Sequence, residues 1–319
     1  MSAAGGPRGR PAATAHPGPG EDTAYTAYTA GPTGAELTVV AAGLATSVQD
    51  LGRPGLAHLG VPASGPADRR GFRLANRLVG NPENTPAFEA TAGGLALTLS
   101  ETRYVAITGA PAPVTVDGAP VYDAPLVRLP AGAVLAIGRP WAGCRTYLAV
   151  CGGMEPERVL GSASRDSLTG LGPAPVEAGS RYGLGPAVPV PGVPSELAFS
   201  VVPHGGSITA RFRWGPRDGL FAAADRRRLT GAPWRVSDQC DRVGVRLTGT
   251  ALSIGSVDLP SEGTVRGAIQ VPPSGEPIVL LADHPVTGGY PVIGVVTDAD
   301  IDLVGQAVPG DELRLTPLR

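Results

Sequence analysis

The sequence contains no lysine, and arginine supplies all 26 of its basic residues. Without a lysine amine the protein cannot form a Schiff base with a carbonyl substrate, nor can it place the phosphate-binding lysine of a P-loop. For the same reason it cannot bear a lipoyl or biotinyl group. The sequence also lacks a GxSxG elbow and a dinucleotide-binding fingerprint, so several large enzyme classes are excluded at the outset.

Residues that bind metals or form disulfides are scarce. Cys144, Cys151 and Cys240 have no CxxC spacing, and the four histidines form no HxH or HExxH motif. We therefore predict no disulfide framework and no metal site.

Long apolar runs and strong net charge are also missing. No apolar stretch reaches membrane length, the N-terminus lacks a continuous signal-peptide core, and the net charge is −2. A nucleic-acid or membrane surface is not expected, and a cytoplasmic protein is the default prediction.

Glycine and proline are abundant instead. The 319 residues include 46 glycines and 34 prolines, with 42% hydrophobic and 17% charged residues. This composition favours short strands joined by turns, and the length is sufficient for two cores. We predict a disordered tail over 1–36 and a mainly β fold with a few short helices. The segments 126–129 and 134–137 are expected to pair with each other across a PAG turn.

One helix is clearly predicted over 67–79, where Phe72, Ala75, Leu78 and Val79 recur at helical spacing. Ser64 is expected to be its N-cap, with Asp68 in the first turn. A second helix is predicted over 217–228. The acidic run 298–302 lacks the glycine and distant glutamate of a calcium loop, so it predicts a turn and a helix start.

A diverged repeat divides the sequence. Arg53-Pro-Gly55 with Gly60 has the same spacing as Arg242-Val-Gly244 with Gly249. LTVVA at 37–41 matches SVVPH at 200–204, and LPAGAVLAI at 129–137 resembles AVPGDELRL at 307–315. The repeat predicts two similar β-rich domains, over 37–195 and 196–319.

Two motifs combine charged and flexible residues in the first half. Gln49, Asp50 and Arg53 could hold a polar substrate, or Asp50 and Arg53 could form a buried pair that pins a loop. Gly152-Gly153 together with 161–164 could form a phosphate nest, but a plain loop is the simpler interpretation.

The second half has three further candidates. Glu262 could be a general base or simply end a strand beside a turn, and Gln270 must be paired if buried. The run from Asp283 to Tyr290 contains Gly288-Gly289, whose amides could hold an oxyanion. A tight hairpin is the alternative there, and His284 is expected to face solvent.

Together these stretches carry a family resemblance. The sequence resembles the allophanate hydrolase subunit 2 family, also described as the biotin-dependent carboxyltransferase or 5-oxoprolinase C-subunit family. The matching blocks are VQDLGRPGLAHLGVPASGPADRRGFRLANRLVGNP (48–82), FEATAGG (88–94), YLAVCGGM with VLGSASRD (147–166), DRVGVRLTG (241–249), SEGTVRGAIQVPPSGEPIVLLADHPVTGGYP (261–291) and GQAVPGDELRL (305–315).

The resemblance implies tandem cyclophilin-like β-barrel domains. It also implies work beside two other proteins, a companion subunit 1 protein of the B-subunit type and a protein of the A-subunit type. The implied activity is ATP-dependent opening of 5-oxo-L-proline to L-glutamate by the complex. One alternative is the carboxyltransferase step of a urea carboxylase, with biotin carried by another chain. The other is a non-catalytic regulatory partner of a kinase-inhibitor-like subunit 1 protein.

We therefore expect a small amide as substrate, ATP at the level of the complex and no metal. The predicted catalytic residues are Asp50, Glu262 and Asp283. The predicted substrate-binding residues are Gln49, Arg53, Ser64, Asp68, Gln270, Thr287, Gly288, Gly289 and Tyr290.

Overall fold

The computed structural model describes residues 1, 34–122, 125–191, 206–254 and 259–318. In these stretches the chain is mainly β with three α-helices, and the predicted fold class is confirmed. The disorder predicted for 1–36 concerns mostly residues 2–33, which lie outside the described part. The strand expected at 201–203 and the predicted domain boundary at 195/196 also fall outside it, and both stay predictions.

The first half of the chain forms two sheets that share a core. The seven-stranded sheet has the spatial order β11 (Met154–Glu155), β12 (Arg181–Leu184), β1 (Glu36–Ala42), β4 (Leu95–Leu99), β9 (Val134–Ile137), β6 (Val114–Val116) and β7 (Ala119–Val121). The five-stranded sheet has the order β2 (Ala45–Gln49), β3 (Ala87–Thr91), β10 (Arg145–Val150), β5 (Arg103–Gly109) and β8 (Leu126–Leu129). Apolar side chains from both sheets meet in one buried cluster.

The predicted pairing of 126–129 with 134–137 is wrong. β8 pairs with β5 in the five-stranded sheet, whereas β9 pairs with β4 and β6 in the other sheet. The turn between them therefore carries the chain from one sheet to the other. Leu129 and Leu135 enter the common core from opposite sides, so both strands are buried without being neighbours.

The second half contains a closed barrel. Its strands follow in the order β13 (Ser207–Trp214), β20 (Val292–Val296), β17 (Ala268–Gln270), β18 (Ile278–Leu280), β15 (Gly244–Thr248), β14 (Trp234–Val236) and β21 (Glu312–Pro317). Parallel pairing between β13 and β21 closes the ring. A small ribbon of β16 (Glu262–Gly263) and β19 (Thr287–Gly288) lies apart from the barrel strands.

The helices are α1 (Arg69–Leu78), α2 (Ala223–Gly231) and α3 (Asp298–Val304). α1 begins two residues later than predicted, and its N-cap is Asp68 rather than Ser64, because Asp68 Oδ1 accepts the Gly71 N–H at 2.8 Å. The segment predicted as one helix over 217–228 is a 3₁₀ turn at Asp218–Leu220 followed by α2. α3 confirms the helix start predicted at 298–302.

α1 packs on the outer face of the five-stranded sheet. All six residues of β10 are buried, because Leu148 and Val150 face the core between the sheets while Tyr147 and Ala149 face α1. Phe72 and Tyr147 meet edge-on with ring centroids 6.1 Å apart. This packing holds the N-terminal end of α1 where residues of the barrel half reach it. None of the helices in the described stretches is long and apolar enough to cross a membrane.

Candidate functional site

Three clusters of polar side chains contain all the predicted site residues except Ser64 and Asp68. The loop cluster contains Gln49, Asp50, Arg53 and residues 162–166. The interface cluster contains Glu89, Arg145, Arg242 and Asp283. The ribbon cluster contains Arg217, Glu262, Gln270 and residues 287–290.

Asp50 is an internal anion held by the loop at 161–164. Its carboxylate accepts hydrogen bonds from Ser162 Oγ at 2.5 Å, Ala163 N at 2.7 Å and Ser164 Oγ at 2.9 Å. The Gly52 amide (2.9 Å) and Arg158 Nη1 (3.2 Å) add two more. The loop considered as a phosphate nest thus wraps a carboxylate of its own chain. These contacts give Asp50 a positioning role, and its predicted catalytic role stays a prediction.

Arg53 fixes the same loop from another side, through different partners. Its Nε donates to the Val159 carbonyl at 3.3 Å, and its Nη2 donates to the Ser164 carbonyl. Burial lowers the pKa of Arg53, while Asp50, Asp166 and Asp283 act to raise it. No Asp50–Arg53 ion pair forms in the described chain. Asp50 and Arg53 therefore do not pin the loop as an ion pair. Each residue instead holds the loop through its own hydrogen bonds.

The interface cluster joins the two halves of the chain through Arg242. This guanidinium donates to Asp283 Oδ2 (Nε, 2.8 Å), Asp283 Oδ1 (Nη2, 3.0 Å), Glu89 Oε1 and the Gly65 carbonyl (2.6 Å). Glu89 also accepts from Tyr147 Oη and the Ala67 amide, each at 2.8 Å. Asp283 accepts further bonds from Ser64 Oγ at 2.7 Å and from the Ser167 amide at 2.8 Å.

Charge pairing outweighs burial in this cluster. Burial alone would raise the pKa of Glu89 and of Asp283, but Arg242 lowers both below their usual values, with help from Arg145 at Glu89. Burial likewise opposes the charge on Arg242, yet Glu89 and Asp283 raise its pKa overall. These groups are therefore ionised together and act as a permanent clamp between the halves. Ser64 and Asp283, both predicted site residues, meet inside this clamp.

Asp68 behaves differently from those acids. Its Oδ2 accepts from Gln306 Nε2 at 2.9 Å and its Oδ1 from the Gly71 amide, but no guanidinium in the described residues pairs with it. Burial raises the pKa of Asp68 to about 6, and the nearby Asp302 carboxylate adds to the shift. Asp302 itself accepts from Arg266 Nη2 at 2.8 Å. Asp68 therefore changes charge near neutral pH at a junction of the two halves.

The ribbon cluster is the accessible part of the predicted site. Glu262 pairs with Arg217 while its side chain is 33% exposed, and Tyr290 is 47% exposed. The hydrogen bond from Arg217 holds the pKa of Glu262 below its usual value. Behind the ribbon, Gln270 is 4% exposed and its Nε2 has no partner in the described residues.

Close packing leaves little room for a side chain at Gly288 but not at Gly289. A Cβ on Gly288 would lie 2.7 Å from Gln270 Nε2, whereas a Cβ on Gly289 would meet no atom within 4 Å. His284 was predicted to face solvent, but it is half-buried. Its Nδ1 lies 3.0 Å from Thr264 Oγ1. Burial lowers the pKa of His284.

Sequence reasoning missed several residues that organise these clusters: Glu89, Arg145, Asp166, Arg266, Asp302 and Gln306. One signal was available, since Glu89 stands between Phe88 and Ala90 in a strand that is otherwise apolar. A charged residue in such a strand is buried and paired. The partners themselves come from distant segments that no local pattern connects.

The described residues contain no group of three or more His, Cys, Asp or Glu side chains able to hold a metal ion. All three cysteines are free thiols. Burial raises the pKa of Cys144 and of Cys240, so neither is an activated thiolate.

Comparison with known proteins confirms the predicted family. Residues 59–317 match the family model described as "Carboxyltransferase domain, subdomain A and B". The chain is 35% identical over 285 residues to the C-subunit of 5-oxoprolinase from Escherichia coli (strain K12), covering 87% of this chain and 89% of that protein.

Two solved structures resemble the fold described above. The crystal structure of TTHA0988 matches with a TM-score of 0.78 and 39% identity, covering 88% of this chain and 56% of that one. The Kluyveromyces lactis urea carboxylase matches with a TM-score of 0.84 and 28% identity, covering 92% of this chain and 28% of that one. The chain thus spans about half of TTHA0988 and just over a quarter of the urea carboxylase. With the family model matched over most of its length, the chain belongs to the carboxyltransferase family defined by subdomains A and B.

Proposed function

We propose that this protein is the C-subunit of a 5-oxoprolinase complex, which opens 5-oxo-L-proline to L-glutamate with ATP. One observation carries the proposal: the similarity to the E. coli protein covers 89% of that protein at 35% identity. The two chains therefore correspond over nearly their whole folds. The name of that relative implies further subunits, and we expect partners of the A-subunit and B-subunit types.

The chemistry explains why ATP is needed. A five-membered lactam is a stabilised amide, and its hydrolysis is uphill unless the carbonyl is activated. Coupling the ring opening to cleavage of ATP supplies the missing free energy. The net reaction takes up two water molecules, breaks the lactam C–N bond and the terminal phosphoanhydride bond of ATP, and releases glutamate, ADP and phosphate.

The residues of this chain do not fit a triphosphate. It has no lysine and no P-loop motif. The arginines of the interface cluster are engaged by Glu89 and Asp283 of the same chain, so they are not free to bind phosphate groups. We place the nucleotide on a partner protein, so the residues of this chain do not handle the phosphate groups. Biotin, if the complex uses it, must likewise be attached elsewhere.

Glu262 is the predicted catalytic carboxylate with direct access to solvent. Arg217 keeps it ionised, so it can accept a hydrogen bond or a proton from a substrate or a water molecule. Gly288, Gly289 and Tyr290 lie on or beside the same ribbon and offer amide and aromatic contacts. We assign the general-base role to Glu262 on this ribbon and positioning roles to Asp50 and Asp283.

The test is reconstitution. The chain is purified with the products of its neighbouring genes, and glutamate release from 5-oxoproline is measured with and without ATP. ATP-dependent release that requires this chain, and that falls at least tenfold in Glu262→Gln, supports the proposal. No release with all partners present contradicts it. Asp238→Asn is the matched control, because Asp238 is exposed and lies outside all three clusters.

A second candidate is the carboxyltransferase component of a urea carboxylase. The observation in its favour is the TM-score of 0.84 to the K. lactis enzyme over 92% of this chain. Urea-dependent incorporation of labelled bicarbonate, requiring a biotin carrier chain, would replace the first proposal.

A further inference from the structure

The loop cluster contains three buried polar atoms that have no partner in the described part of the chain: Gln49 Oε1, Arg53 Nη1 and Asp166 Oδ2. The three residues are 0%, 3% and 0% exposed. A buried polar atom left unpaired destabilises a fold by about 1–3 kcal/mol, and more if it is charged. Three such atoms around one short segment therefore require an explanation.

The three side chains belong to one place. Gln49 Nε2 donates to the Arg165 carbonyl at 2.9 Å, and Arg53 Nη2 donates to the neighbouring Ser164 carbonyl. Asp166 is the next residue along, and its charge acts on the Arg53 guanidinium. Yet Arg53 and Asp166 form no ion pair within 4 Å in the described residues, so the charges are near each other but unjoined.

Each unpaired atom is held in its orientation by the rest of its own side chain. Gln49 Nε2 has two acceptors, Ser47 Oγ and the Arg165 carbonyl, each at 2.9 Å, which leaves Oε1 as the free end. Asp166 Oδ1 accepts from the Leu168 amide (3.1 Å) and from the amide and hydroxyl of Thr169 (2.7 and 2.8 Å). The site is thus built in advance of any occupant.

The three atoms define the chemistry of that occupant. Arg53 Nη1 is a charged donor and needs a carbonyl or carboxylate oxygen. Asp166 Oδ2 and Gln49 Oε1 are acceptors and need N–H groups. A molecule that carries a carbonyl oxygen beside two N–H groups satisfies all three, as primary amides and ureides do, whereas a lactam, with its single N–H, satisfies Arg53 and one of the two acceptors.

We propose that the loop cluster is a binding subsite for the amide group of a small lactam or ureide, contacted by Gln49, Arg53 and Asp166. This rests on the proposed function for the choice of 5-oxoproline as first probe. The segment 160–168 borders the subsite, and Leu160 and Leu168 at its two ends are 57% and 50% exposed.

The test is calorimetric titration of the purified full-length chain, without ATP or partners, with 5-oxoproline and separately with urea. We expect one of them to bind with a single site. Binding of 5-oxoproline would identify the ligand as a lactam, and binding of urea would identify it as a ureide. Absence of binding by both ligands overturns the proposal.

Two variants locate the binding. Asp166→Asn keeps an oxygen for the Leu168 and Thr169 amides but replaces the free acceptor by a donor, and Arg53→Lys removes the free guanidinium nitrogen. Each is expected to weaken binding at least tenfold, while Asp238→Asn binds as the unchanged protein does. Circular dichroism checks that each variant is folded.

Equal affinity in folded Asp166→Asn or Arg53→Lys and in the unchanged protein would overturn the assignment. So would a crystal soaked in the ligand that shows only ordered water at the three atoms. Because binding is measured without turnover, failure of the reconstituted glutamate assay leaves this result intact, and the two proposals fail separately.

Discussion

Arg53 and Arg242 occupy equivalent places in the sequence repeat, but the structure uses them differently. Arg242 donates to two buried carboxylates and one carbonyl, and its pKa is raised. Arg53 donates only to carbonyl oxygens of the described residues, its pKa is lowered by burial, and one of its nitrogens is unpaired there. The same Arg-x-Gly motif thus supplies a saturated structural clamp in the second half and an incompletely paired cation in the first.

This difference separates architecture from function within one motif. Arg242 has partners at all three of its guanidinium nitrogens, so it fixes how the halves meet and has no unpaired nitrogen for a ligand. A buried cation with a free donor is unfavourable alone and becomes favourable when a ligand completes it. Substitutions of the two arginines and of the acids around them test this difference.

Arg242→Met should give the largest loss of stability. It leaves Glu89 and Asp283 buried without their cation, which typically destabilises a protein by about 3–5 kcal/mol. Thermal unfolding followed by circular dichroism measures the effect. A loss below about 1 kcal/mol would mean that the clamp is not what joins the halves.

Asp68 should make stability fall as pH rises toward neutrality. Its pKa is about 6 in the folded protein and 3.8 as an ordinary aspartate. Between these values the folded state binds more protons than the unfolded state, so each step up in pH removes stabilisation. The shift corresponds to about 3 kcal/mol between pH 3.5 and 7.

Asp68→Asn isolates this pH dependence. The amide cannot titrate, so its unfolding free energy should rise relative to the unchanged protein by the same amount over that range. Any loss from the altered contact with Gln306 is independent of pH. Glu89 and Asp283 have lowered pKa values, so their stabilisation is lost only as pH falls through the acidic range. Identical pH slopes for Asp68→Asn and the unchanged protein would contradict the assignment.

Arg53→Met should destabilise the protein less than Arg242→Met does. It removes two hydrogen bonds to carbonyls and also removes an unpaired buried nitrogen, so we expect a loss of about 1–3 kcal/mol. Side-by-side unfolding curves of the two methionine variants measure the contrast. A larger loss for Arg53→Met than for Arg242→Met would reverse the comparison.

The two ribbon glycines offer a smaller and fully matched comparison. Gly288→Ala places a Cβ against Gln270 Nε2, and we expect a loss of about 1 kcal/mol, because the atom that must move is the unpaired end of a flexible side chain. Gly289→Ala meets open space, and its effect should stay within about 0.5 kcal/mol. Thermal unfolding of both variants measures the difference in stability. Equal unfolding midpoints would show that the Gln270 side chain moves aside without loss of stability.

Sequence patterns predicted those features of the fold that depend on local chemistry. The apolar spacing of Phe72 and Ala75 located α1, and the acidic run at 298–302 marked the start of α3. Pairing between distant strands could not be predicted in the same way. β8 and β9 are joined by a short turn, yet they belong to different sheets because each buries its side chains in the shared core from its own side.

The candidate site shows the same limit. Ser64 was predicted as an N-cap from its distance to α1, but it bonds to Asp283, which lies 219 positions away. The motifs singled out Asp50 and Asp283 but not the groups that bind them. Asp166, whose free oxygen defines the proposed subsite, stands among ordinary loop residues and carries no signal of its burial.

Arg53 is directed toward a ligand, whereas Arg242 is structural. The most direct test measures the unfolding free energy of Arg53→Lys and Arg242→Lys with and without saturating 5-oxoproline or urea, whichever binds. A ligand specific for the folded state stabilises it in proportion to the logarithm of its concentration over Kd. We predict that Arg242→Lys is less stable yet keeps the ligand-induced gain, whereas Arg53→Lys loses the gain. A full gain in Arg53→Lys would contradict the account.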